Sequence, residues 1–84
     1  MAPSRVRWRY PSAVTLIVEF EREEDGRFLA DIPALPGTMA YGATREEALE
    51  KVKALALHVV ADMLEHGELP GPIDSVVFTL PTAA

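Results

Sequence analysis

Five acidic residues raise the question of metal-assisted chemistry. Glu19, Glu21 and Asp31 lie in segments of strand character, Glu50 in a helical segment and Asp74 just ahead of a final apolar run. Two-metal hydrolysis requires several carboxylates converging on one point. Glu19 and Glu21 share the face opposite Val18 and Phe20 in a period-two segment, the place for solvated charges. No catalytic residue, metal ligand or cofactor is therefore expected. The two histidines, His58 and His66, have no companions at zinc-ligand spacing. His58 has Asp62 one helical turn on, an ordinary surface pair. Cysteine is absent, which excludes a thiol nucleophile, a disulfide framework and Cys-ligated zinc, and fits a reducing compartment. Arg5, Arg7 and Arg9 alternate with Val6, Trp8 and Tyr10. Such interleaving suits RNA contact. It suits equally an added edge strand with Trp8 packed inward, an intersubunit arm or a mobile tail. Residues 1–13 are read as an arm or edge strand, and 14–84 as one domain.

With chemistry weak, binding becomes the better reading. The chain has 84 residues, 49% of them hydrophobic, enough for a core and too apolar for disorder. A domain of this size buries only roughly 60–65% of its unfolded surface, so burial against another molecule would help it. Eight basic and thirteen acidic residues give a net charge of −5. That balance opposes phosphate binding and suits a basic protein partner, or serves solubility alone. No apolar run approaches the roughly 20 residues of a membrane span, and no signal-peptide core follows Tyr10. A cytoplasmic location is expected.

Val14, Leu16, Val18 and Phe20 alternate with polar neighbours and predict a strand over Val14 to Arg22. Asp25-Gly26 marks a hairpin to a second strand, Arg27 to Ile32. Pro33 and Pro36 cannot lie within a sheet, and Pro36-Gly37 suits a type II turn. Thr38 to Gly42 is a short third strand. Thr44 and Glu47 form a capping box that opens a helix running to His66, with Gly67 just past its end. Ser75 to Leu80 is the last strand, and the helix supplies a crossover for mixed or parallel pairing. The expected fold is α+β, in the order β-β-β-α-β, with one long helix on a four-stranded mixed sheet.

That helix carries too much apolar surface. At roughly 100° per residue, Leu49, Val52, Ala56, Val59, Val60 and Met63 gather on the face for the sheet. Ala48 and Leu55 flank them on one side, Leu57 and Leu64 on the other. The apolar arc spans roughly 200°, against the 100° or so expected of a helix on one sheet. A helix of about 22 residues is also longer than a strand of about six. Surplus arc and overhang predict a second molecule there, in a homo-oligomer (dimer or tetramer) or with a partner. The candidate contact residues are Trp8, Leu55, Leu57, Val60 and Leu64. Alternatively, Leu57 and Leu64 tuck under the loop from Leu69 to Pro72.

Taken together, the acidic-Gly hairpin, Phe28-Leu29-Ala30, Pro33-Ala34-Leu35-Pro36-Gly37, Gly42, Thr44 and Glu46-Glu47-Ala48 resemble the HicB / UPF0150 family from Val14 to Pro72. The resemblance implies a domain similar to a degraded RNase H fold. It implies a non-catalytic antitoxin, commonly oligomeric, that covers the active surface of HicA, a small mRNA-cleaving toxin expected to be basic. Many members add a DNA-binding domain; this sequence ends at Ala84 and leaves no room for one, so DNA binding is not expected. The family often has cysteine after Leu-Pro-Gly, where this chain has Thr38. An orphan regulatory or structural oligomer, and more remotely an RNase H-like nuclease using the acids above, are the alternatives.

Overall fold

Apolar side chains at every second position from Val14 to Phe20 favour extended backbone with one face to bury. The computed structural model describes residues 13–69 and 71–81. That segment forms β1 (Ala13–Ile17) and β2 (Glu19–Arg22), followed by β3 (Phe28–Asp31), β4 (Met39–Gly42), α1 (Arg45–Glu65) and β5 (Ser75–Thr79). The fold is α+β, with one helix and mixed strand pairing among the described residues. Of the arm read over residues 1–13, only Ala13 is described, as the first residue of β1; Trp8 lies outside the described residues.

The single first strand expected from Val14 to Arg22 is two segments. β1 pairs in parallel with β5, and β2 pairs antiparallel with β3, which pairs antiparallel with β4. The break at Val18 is a change of neighbours and not of direction. Alternation continues through it, with Leu16 and Val18 buried and Ile17 and Glu19 exposed. The Val18 N–H donates to the Thr79 carbonyl, and the Glu23 N–H donates to the Arg27 carbonyl. These amides are an odd number of positions apart, so in alternating extended backbone they point to opposite edges. β5 therefore lies on one edge of the β1–β2 run and β3 on the other.

The turns follow their residues. Gly26 has φ +93° and closes a turn by donating its N–H to the Glu23 carbonyl at 3.0 Å. The Thr38 N–H donates to the Leu35 carbonyl at 2.9 Å with Pro36 and Gly37 between them, Gly37 at φ +86°. That is the expected type II turn. Pro33 is exposed in the preceding turn, where the Leu35 N–H donates to the Ile32 carbonyl.

The Thr44 hydroxyl accepts from the Glu47 N–H at 3.0 Å, as expected of a helix cap. The return bond departs from expectation. Glu47 Oε1 accepts from the Ala43 N–H at 2.6 Å, not from the Thr44 N–H. At the other end His66 is the C-cap and Gly67 follows at φ +66°. Asp62 pairs with His66 (Nδ1 to Oδ1, 3.3 Å) rather than with His58. The Ala43 hydrogen bond, helped by Lys51, holds the Glu47 carboxyl below its ordinary pKa of 4.5. The Arg27 backbone N–H, then its guanidinium, lowers Asp25 likewise. Carboxyls with depressed folded pKa values contribute stability above their unfolded pKa and lose it as pH falls through the folded one. Thermal melts should therefore weaken on acidification below the ordinary carboxylate range. Glu47→Gln should flatten that dependence while leaving the fold intact at neutral pH; an unchanged pH profile would show that the cap does not contribute it.

The core comprises Leu16, Val18, Ala30 and Ile32 from the strand side and Ala48, Val52, Ala56 and Val60 from α1. The buried helical stripe thus runs along successive turns from Ala48, which the sequence had placed on a flank. The burial of Ala48 has a local cause. α1 packs chiefly on β3 and β4, and its first turn meets the end of β4 at Gly42, where a Cβ would stand 2.4 Å from the Ala48 nitrogen. The small pair Gly42 and Ala48 lets the two backbones approach, which brings Ala48 into the core; Leu49, Val59 and Met63 are half-buried.

Candidate protein-binding surfaces

Among the described residues, two apolar surfaces remain uncovered. The first is on α1. Leu57 and Leu64 are 48% and 54% exposed, so they do not tuck beneath the loop after the helix. Ala54 and Ala61 are exposed beside them. Ala54, Leu57, Ala61 and Leu64 are spaced by three, four and three positions. That spacing makes a narrow seam of alternating small and large side chains, the pattern by which one helix seats against another. The alanines were not singled out from the sequence, although the seven-residue period would have found them. One candidate contact needs correction. Val60 is buried in the core at 5% exposure, because it lies on the face of α1 that meets the strands, where the helical periodicity already put it. Leu55 is exposed on the opposite flank from Leu57 and Leu64.

The second surface is the face of the strands turned away from α1. Register stacks its side chains in rows. Glu19, Asp31 and Met39 stand side by side, and next to them Glu21, Leu29 and Tyr41. Across the β1–β5 ladder, Thr15 faces Val77 and Ile17 faces Thr79. Ile17, Met39, Tyr41 and Val77 are exposed there. Glu19, Phe20, Glu21, Leu29 and Asp31 line an open depression. None of the three carboxylates has an ion-pair partner among the described residues. The nearby cation, Arg27, lies 4.3 Å over the Tyr41 ring and is held by Asp25 at 2.8 Å.

The acids weighed for metal chemistry are thus divided. Glu19, Glu21 and Asp31 share the uncovered face. Glu50 is on the far side of the molecule, exposed on α1 near Lys53 at 3.8 Å. Asp74 precedes Ser75, which pairs with Ala13, roughly 20 Å along the strand from Glu19. Among the described residues no group of three or more His, Cys, Asp or Glu is disposed to hold a metal ion. No helix among them is long and apolar enough to cross a membrane.

No protein-family profile matches the chain, and no solved structure matches it. It is similar to the UPF0150 protein Ta0767 of Thermoplasma acidophilum, being 34% identical over 47 residues that span 56% of this chain and 68% of that one.

Proposed function

Because the chain belongs to the UPF0150 family, we propose that it is a non-catalytic, HicB-like antitoxin module that binds and neutralises a small basic HicA-type ribonuclease in the cytoplasm. The observation that carries the reading is the pair of apolar surfaces left uncovered by the described residues, one of them joined to the carboxylates of Glu19, Glu21 and Asp31. Exposed apolar area beside unpaired charge supports a role in binding. The parallel closing strand after a long crossover helix supports a degraded RNase H-like arrangement, used here as a scaffold. The α1 seam suits a second copy of the chain. In an antiparallel pair about a two-fold axis, Leu57 and Leu64 of one helix meet Ala54 and Ala61 of the other. A second reading, an orphan homo-oligomer with no toxin, draws on that same self-complementary seam.

Co-expression separates the two. With the small basic protein encoded beside this gene, the expected result is restored growth and a stable complex in native mass spectrometry. Unrelieved toxicity with no complex, or the absence of any such neighbouring gene, would leave the orphan oligomer as the function.

A further inference from the structure

We infer that the uncovered strand face, centred on Glu19, Glu21, Leu29 and Asp31, is the docking surface for a basic protein partner, and that the α1 seam is not. The inference rests on the reading of this chain as a binder of a basic protein and assigns the surface that does it. Three observations select the occupant. The face joins exposed apolar side chains (Ile17, Met39, Tyr41 and Val77) to three carboxylates unpaired among the described residues, so it offers area for burial and a fixed charge pattern together. Glu19 is directly opposite Asp31 in the ladder, and like charges at that spacing repel; cationic side chains from a partner relieve this. A second copy of the same face would bring its own carboxylates against these ones, which is unfavourable, and a nucleic acid would meet the same repulsion. The partner's contact surface must therefore be basic around an apolar centre.

Geometry lets both surfaces be used at once. α1 lies on one side of the strands, and its seam points further outward still. The docking face looks the other way. Pairing through α1 leaves two docking faces open, so the complex should hold one partner per chain.

The test uses the full chain, isotopically labelled, and a short monomeric amphipathic peptide of lysine and leucine as the probe. Amide shifts are expected at Ile17, Leu29, Asp31 and Tyr41, not along Ala54 to Leu64, and affinity should fall with added salt. The variant Glu19→Gln/Glu21→Gln/Asp31→Asn should bind at least about tenfold more weakly. Leu57→Glu/Leu64→Glu should bind as the parent does. Shifts confined to α1, no shifts, or undiminished binding by the triple amide variant would overturn the assignment. Toxin neutralisation by that variant distinguishes this failure from failure of the antitoxin reading. If it neutralises as well as the parent, the surface is wrong and the function stands. If the parent does not neutralise but the peptide docks as described, the function is wrong and the surface stands.

Discussion

Gly42→Ala is expected to destabilise the protein by about 2–3 kcal/mol, lowering the melting temperature by roughly 10–20 °C for a domain of this size. The conflict is steric and falls on backbone. An added Cβ would lie 2.4 Å from the Ala48 nitrogen and 2.9 Å from the Ala48 Cα and the Glu47 carbonyl carbon. Those atoms cannot swing aside as a side-chain tip would. They belong to the first turn of α1, held by the Thr44 hydroxyl and by the bond from the Ala43 N–H to Glu47. To admit a methyl, either the helix start moves off β4 or the cap opens, and both expose Ala48, now fully buried. A domain of this size has a net stability of only about 5–10 kcal/mol, so the loss is a large fraction of the whole. Gly71→Ala is the control, since nothing lies within 4 Å of its added Cβ, and it should shift stability by no more than about 0.5 kcal/mol. Parallel melts followed by circular dichroism decide the matter. Equal midpoints for the two variants would mean that β4 and α1 are not in such close contact.

Gly42 also shows where sequence reading reaches its limit. Features determined by neighbours along the chain were legible: the Thr44 cap, the Gly67 end, the Pro36-Gly37 turn, the Asp25-Gly26 hairpin and the alternation through Val18. Each depends on backbone preferences that a residue carries with it. Features determined by neighbours in space were not. The break at Val18 arises because the strand changes partners there, which no residue type announces. The full burial of Ala48 arises from close approach between two small residues on different elements, Gly42 at the end of β4 and Ala48 in the first turn of α1, whereas a reading by hydrophobicity favours the larger Leu49, Val59 and Met63. The uncovered strand face was half visible. Glu19 and Glu21 were correctly placed on the polar side of their strand, but their mixing with Leu29, Met39 and Tyr41 exists only through the register of three strands. Alternation says which side chains share a face of one strand; pairing says which of them become a surface.

Leu57→Glu/Leu64→Glu is expected to weaken self-association of the folded chain at least about a hundredfold, giving a monomer in size exclusion and native mass spectrometry at concentrations where the parent is oligomeric. Both leucines are about half exposed in a single copy, so placing charge there costs a lone chain little. In a two-fold pair the same change forfeits burial of two leucines per helix, roughly 3–6 kcal/mol before association costs, and buries glutamates against the alanines of the other helix. A loss of about 2.7 kcal/mol already corresponds to a factor of one hundred. Val60→Asp separates this from general damage. Val60 was also a candidate contact from sequence, yet at 5% exposure it belongs to the core beside Ala56 and Val52. An aspartate there is an unpaired buried charge, which unfolds the chain or leaves it markedly destabilised. The two variants therefore fail differently. The leucine pair should retain the parent's circular dichroism spectrum and lose its partner, whereas Val60→Asp should lose the spectrum itself. A parent that stays monomeric when concentrated, or a leucine variant that elutes with it, would remove α1 as a seam. The apolar stripe would then be an exposed face without a partner copy, and the pairing geometry that leaves two docking faces open would go with it.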